Sequence, residues 1–420
     1  MSNKADAKKV KGAETAGLVP RLRFPEFRGA GGWQRNQLCE LAKDFLDGDW
    51  IESKDQSNVG IRLLQTGNIG VGTFISKIGN SRYISDETFT RLHCEEVFPG
   101  DCLISRLPDP AGRSCLVPDI GQRMITAVDC TIARFDKKRI IPYLFVAYSQ
   151  TDQYFREVEA LCSGSTRQRI SRETLSRIKV ALPKLGEQQK IADCLSSLDE
   201  AITLESKKLD ALKVHKKGLM QQLFPAEGET VPRLRFPEFR GAGEWEVKPI
   251  GSVCEVLNNR RKPVSSSGRE KGEYPYYGAS GIVDYVRDYI FDERLLLVGE
   301  DGAKWGSFEK TAFIADGKYW VNNHAHVLRP IDASDTLLEN YLTMVDIGPY
   351  VTGAAPPKLT LGKLKGINVC LPPLMEEQQK IADCLSSLDE VITLESQKLE
   401  ALKVHKKGLM QQLFPKLEEV

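Results

Sequence analysis

The sequence predicts an α+β chain in which two globular mixed α/β domains are separated by two long helices that form an antiparallel coiled coil. Three observations predict it. The block Val19 to Gly31 recurs unchanged at Val231 to Gly243, each copy followed by a tryptophan, Trp33 or Trp245. A second block, Gln188 to Pro225, returns at Gln378 to Pro415 with only Ala201/Val391, Lys207/Gln397 and Asp210/Glu400 exchanged. Between these blocks the two halves diverge almost completely and carry short β-rich runs. Two copies are too few for a solenoid, which needs at least three. The order is therefore variable domain, fixed helix, variable domain, fixed helix. Its expected boundaries are 1–18 for a disordered N-terminus, 19–183 and 226–373 for the domains, and 184–225 and 374–420 for the helices.

The fixed helix carries a seam. Ile191, Leu195, Leu198, Ile202, Glu205, Leu209, Leu212, Lys216, Leu219 and Leu223 follow steps of four and three, the spacing of a coiled coil. Pro183 and Gly186 precede it and Pro225 stops it. Its length is roughly 55 Å at 1.5 Å per residue. A lone helix would expose this stripe, so the second copy, from Ile381 to Leu413, is the expected partner. Glu205 and Lys216 occupy the two alternate kinds of seam position. Antiparallel pairing sets acid against base, whereas parallel pairing sets like on like. One register places Glu205 on Lys406, Lys216 on Glu395, Leu209 on Leu402, Leu212 on Leu399, Leu198 on Leu413 and Ile202 on Leu409. It leaves Ile191, Leu195, Ile381 and Leu385 to pack on the domain before each helix.

The variable regions read as mixed α/β. Asp101 to Ser105, Ile125 to Phe135, Arg294 to Val298 and Ala325 to Leu328 are β-rich runs. Pro142 to Val158 and Thr336 to Val345 carry helical patterns. A small twisted sheet with helices is expected in each domain.

The chain has 420 residues, which suggests two to four domains. Hydrophobic residues make up 41% and charged residues 27%, ordinary for a globular protein. No apolar run is long enough for a membrane span, and the polar N-terminus offers no signal peptide, so a cytoplasmic protein is expected. Ten cysteines include no CxxC pair and read as buried reduced thiols. The net charge of +1 excludes a protein that binds nucleic acid by bulk charge alone.

Several loops nonetheless carry groups that suit a nucleic acid. Ser165, Thr166, Arg167, Gln168 and Arg169 combine hydroxyls, guanidinia and an amide. Asn259, Arg260, Arg261 and Lys262 form a basic stretch with an amide. Arg on guanine and Asn or Gln on adenine are pairings that the major groove favours. Tyr276, Tyr277 and Ser280 lie in a run of aromatic and small residues expected to be exposed. Arg106 and Lys304 are further candidates, and Lys358 occupies the loop matching Ser165 to Arg169 in the second domain.

Catalytic patterns are not found. The sequence has no GxxxxGK[ST], HExxH or GxSxG. Its Pro-Pro pairs, at Pro356 and Pro372, lack the preceding Asn or Asp of amino-methyltransferases. His324 and His326 would point the same way on a strand, but no third metal ligand is evident.

The run Leu371 to Ala382, leading into the leucine helix, resembles the join between recognition domain and conserved helix in specificity subunits of type I restriction-modification systems. So does Leu182 to Ile191, although Lys184-Leu185-Gly186 departs from the usual Pro-Leu. Tyr274 to Gly278 and Gly100 to Ser105 also look like that family's recognition domains. The resemblance covers nearly the whole chain after residue 19. It implies a non-catalytic subunit with two target-recognition domains, each reading half of a bipartite, asymmetric site on double-stranded DNA. It implies two methyltransferase subunits and two motor-nuclease subunits as partners. S-adenosylmethionine, ATP and Mg²⁺ would then reside on those partners, with no cofactor on this chain. Two readers on one side of a duplex favour centres about 10 bp apart, and the helix length caps the span at roughly 16 bp. Two rival readings stay open: an enzyme of unrecognised motif, and a coiled-coil adaptor with two divergent heads that binds no DNA.

Overall fold

The computed structural model describes residues 18–77, 79–164, 168–353 and 356–416. The chain divides into two units, Met1–Leu204 with Leu399–Val420, and Glu205–Lys398. Each unit holds one variable domain and takes a part of each long helix, α1 (Leu185–Leu223) and α2 (Met375–Leu413). Gly186 lies inside α1 rather than before it. Among the described residues no helix is long and apolar enough to cross a membrane.

In the first unit an antiparallel sheet runs in the order Ala42–Asp47, Cys130–Phe135, Cys102–Ser105, Ser114–Leu116. A second sheet runs Arg82–Ile84, Ile61–Leu64, Met124–Thr126, Glu96–Val97, with its central pair parallel. A two-stranded ribbon joins Gln34–Gln37 to Lys179–Leu182. The second unit repeats all three. Its first sheet runs Cys254–Val256, Ala325–Pro330, Leu295–Gly299, Ala312–Ala315. Its second runs Gly281–Val286, Lys271–Gly278, Lys318–Val321, Phe291–Asp292, again with a parallel central pair. Its ribbon joins Glu246–Pro249 to Asn368–Leu371. Divergent sequences thus build one topology twice, and each domain holds three sheets where one small sheet was expected.

Two expected elements break in the middle. The run Ile125 to Phe135 is two strands, Met124–Thr126 and Cys130–Phe135, because the chain turns between them and passes from one sheet to the other. The helical run from Pro142 is two helices, Pro142–Tyr148 and Asp152–Ala160. Thr151 starts the second by accepting a hydrogen bond from the Tyr154 amide, as an N-cap residue does.

The repeated blocks do repeated structural work. Arg23 forks onto Glu187 near the start of α1 at 2.7 and 2.6 Å, and Arg235 forks onto Glu377 near the start of α2 at 2.7 Å through both nitrogens. The Gln188 amide accepts from the Ile141 N–H and donates to Pro183 O, and Gln378 accepts from Ser334 N–H and donates to Pro372 O. The core of the first unit gathers Trp33, Phe145, Tyr154, Ile191 and Leu195 with Leu409, Met410, Leu413 and Phe414. That of the second gathers Trp245, Leu337, Leu342, Ile381 and Leu385 with Leu219, Met220, Leu223 and Phe224. In each unit the start of one long helix therefore meets the end of the other, which is antiparallel pairing.

The register differs from the charge-matched one. Glu205 bonds Lys398, and Lys208 bonds Glu395. Lys216 lies 2.7 Å from Asp389, and Lys406 2.6 Å from Asp199. The partners are shifted by about one heptad. The shift lets Ile191 and Leu195 pack both on their own domain and on the α2 residues that close it. Burying these side chains is worth about 1.5–3 kcal/mol each, more than half-exposed ion pairs return. Lysines reach acids flanking the seam instead. Leu209 and Leu399 are buried, Leu198, Ile202, Leu212 and Leu402 half-buried, so the seam is real although its register is not the charge-matched one.

Candidate nucleic-acid interface

In the second unit two of the sequence candidates, Arg261 and Lys358, meet in one charged cluster. Arg261 lies on the segment leaving the first sheet strand, and its Nη1 is 2.5 Å from Glu300. Lys358, from the loop that matches Ser165 to Arg169, places its Nζ 2.7 Å from the same carboxylate. His326 Nδ1 lies 3.5 Å from it. His326 is buried, with Nε2 2.7 Å from Leu359 O and Nδ1 2.9 Å from the Asn258 amide nitrogen. Those partners assign a neutral ring with the proton on Nε2, and burial holds the imidazole below its ordinary value. Burial pushes the Glu300 carboxyl up, but hydrogen bonds from Arg261 and Lys358 outweigh it and hold the group below its usual range. Beside this core, half-exposed His324 pairs with Asp301.

The other candidates of this unit spread out. Asn259 and Lys262 are exposed, and Arg260 is 2.6 Å from Glu293, over the Phe291 ring. Ser280 is exposed, and Lys304 is exposed with Glu309 at 4.0 Å. The expectation of exposed aromatics fails at Tyr276, which is 1% exposed. Strand alternation sends it inward, where its hydroxyl accepts from the Val264 N–H at 3.0 Å. Tyr277 is half-buried between Phe313 and Tyr319; burial raises its phenol.

In the first unit Arg106 is buried, 5% exposed, so it is no free surface donor. Its guanidinium donates to Val128 O at 2.5 Å and sits 3.4 Å from Asp47. Asp47 also lies 3.7 Å from Arg172, and Arg169 lies 3.7 Å from Asp129. Gln168 is exposed. Ser165, Thr166 and Arg167 lie outside the described residues. Sequence reasoning missed Asp47, Asp129 and Arg172, and the place of Glu300, Asp301 and His324 beside the flagged cations. Loop composition flags cations, while these acids come from other segments that only the fold brings near. Among the described residues no group of three or more His, Cys, Asp or Glu side chains is placed to hold a metal ion.

The arrangement is two similar scaffolds that carry unlike polar clusters. Comparison with known proteins places it. The family model of the type I restriction modification DNA specificity domain matches residues 73–214 and 242–404. The chain belongs to this family of type I restriction-modification specificity subunits. A putative type I restriction enzyme specificity subunit of Haemophilus influenzae is 40% identical over 149 residues, 34% of this chain and 38% of that protein. The putative MjaX specificity subunit of Methanocaldococcus jannaschii is 23% identical over 403 residues, 91% of this chain and 92% of that one. The crystal structure of the type I restriction-modification S subunit from M. genitalium has a TM-score of 0.64 at 15% identity, covering 95% of this chain and all of that one. At that identity the likeness is one of fold.

Proposed function

We propose that the chain is the DNA-reading subunit of a type I restriction-modification complex, each variable domain recognising one half of a bipartite site on double-stranded DNA. The observation that carries this is the doubled topology: two domains share strand order while their sequences and polar clusters differ. One scaffold with two surfaces suits two different half-sites. In this reading the chain is cytoplasmic and performs no catalysis. It directs two methyltransferase subunits and two motor-nuclease subunits, which carry S-adenosylmethionine, ATP and Mg²⁺. The near-neutral net charge of +1 fits a reader whose partners share the grip on phosphates.

Exchange of residues 33–183 for the first domain of another family member tests the reading. Methylome sequencing of cells carrying the hybrid with its methyltransferase is expected to show one half of the site changed and the other kept. Change in both halves, or in neither, overturns it. A coiled-coil adaptor that binds no DNA would give no sequence-dependent methylation at all.

A further inference from the structure

The same backbone frame stands at the end of a central strand in each domain. In the first unit the Arg106 N–H donates to Asp129 O at 2.9 Å, and the Ile170 N–H donates to Arg106 O at 3.1 Å. Ser163 and Arg169 exchange backbone bonds at 3.0 and 2.9 Å. In the second unit the Glu300 N–H donates to His324 O at 2.8 Å, and the Leu359 N–H donates to Glu300 O at 2.8 Å. Thr352 and Lys358 exchange backbone bonds at 2.9 and 2.8 Å. The frame therefore equates Arg106 with Glu300, Asp129 with His324 and Arg169 with Lys358.

The frame persists and its charges do not. The buried centre is a guanidinium in one domain and a carboxylate in the other. A buried charge costs several kcal/mol unless it is paired, and an apolar residue would serve packing as well or better. Each domain instead keeps a charge there and supplies the opposite one: Asp47 for Arg106, Arg261 and Lys358 for Glu300. Around each centre lie half-exposed heads, Arg169 and Arg172 in the first unit, His324 and Lys358 in the second. An acid lies beside each head, at 3.7 Å from Arg169 and from Arg172 and at 2.7 Å from Lys358, and oriented donors are what discrimination between base edges requires.

Resting on the DNA-reading function above, we infer that this frame is the base-reading site of each domain. Arg169 and Arg172 meet base edges of one half-site, guanine being the fitting partner of a guanidinium fork. His324 and Lys358 meet those of the other. Arg106 and Glu300 position the heads and do not touch DNA. The acids bar a phosphate from settling in the frame, so the contacts made there are to bases.

The test uses the full chain with its methyltransferase and selects bound duplexes from a randomised library. Arg169→Ala with Arg172→Ala is expected to erase preference in one half-site, with roughly 5- to 150-fold loss on the specific duplex and little on a random one. His324→Ala with Lys358→Gln is expected to do the same in the other half only. Arg294→Ala, which breaks a pair with Asp335 elsewhere in the second domain, should leave both halves intact. The milder Arg169→Lys keeps the charge without the fork and should relax the first half-site partially, which guards against a misfolded double variant. Equal loss on specific and random duplexes, or unchanged preference in both halves, overturns the inference. A wild-type chain that prefers no sequence overturns the DNA reading itself and this inference with it.

Discussion

Arg23 and Glu187 are 164 residues apart in sequence, yet the guanidinium of one grips both carboxylate oxygens of the other at 2.7 and 2.6 Å. Both residues are buried, at 8% and 2% exposure, and the Trp33 indole donates to the same carboxylate at 3.4 Å. The pair ties a repeated block to the first turn of the long helix that follows its domain. Breaking such a pair strands a buried charge. Arg23→Ala should therefore cost about 3–5 kcal/mol in urea unfolding, whereas Arg23→Leu combined with Glu187→Leu should recover much of that. A single variant that unfolds like the wild type would show the pair to be ornamental.

The helix register gives a second expectation. Glu205→Lys should destabilise only modestly, because Lys398 is half-exposed and its pair with Glu205 is screened by solvent. Adding Lys398→Glu should restore the pair. Adding Lys406→Glu should not, since Lys406 answers to Asp199. A double-mutant cycle by thermal melting separates the two, and rescue through residue 406 would restore the charge-matched register.

Phe414 packs edge-on against Trp33 at 6.2 Å and against Tyr148 at 5.5 Å. Phe224 makes the matching contacts with Trp245 at 6.3 Å and Tyr341 at 5.7 Å. Phe414→Ala and Phe224→Ala should each cost about 3–5 kcal/mol. Denaturant titration should find the two losses similar; a large inequality would mean that the matching contacts do unequal work.

Asp49 sets a pH dependence. Burial pushes its carboxyl up to about 6 from 3.8, against the hydrogen bond it accepts from the Glu95 N–H. The folded state thus holds a proton that the unfolded chain releases between those values. Its contribution is present below the lower value and is lost as pH rises through the upper one. At pH 7 the charged Asp49 opposes folding. Asp49→Asn, whose amide oxygen still accepts from Glu95, should raise the melting temperature at neutral pH and give no gain near pH 4. A gain independent of pH would point to packing instead.

The sequence made the helices legible because their seam is long and periodic, and the repeated blocks made the duplication plain. It did not make the register legible. Glu205 and Lys216 suggested a match, but the decision lay with Ile191 and Leu195, whose burial depends on the domain behind them. The split into two four-stranded sheets was hidden because Ala127 to Asp129 looks, in sequence, like the middle of one strand. The charged clusters were half legible. Arg261 and Lys358 were visible as cations in loops, whereas Glu300 and Asp47 count only once the fold sets them beside those cations. Tyr276 misled because small neighbours suggest a surface turn, and strand alternation placed it inside.

One pair of backbone bonds bears on the topology of the chain itself. The Leu234 N–H donates to Gln222 O at 2.9 Å, just after residues 226–230 link the two segments. The Leu22 N–H donates to Gln412 O at 3.0 Å, with no covalent link between those segments. The same backbone bond forms whether or not a five-residue link such as 226–230 joins its two segments. Connectivity at this corner is thus incidental to the contacts, and the order of the parts is cyclic. A permuted gene that joins Pro415 to Val19 through a copy of Ala226 to Thr230, and opens the chain within 226–230, should encode a protein with the same stability.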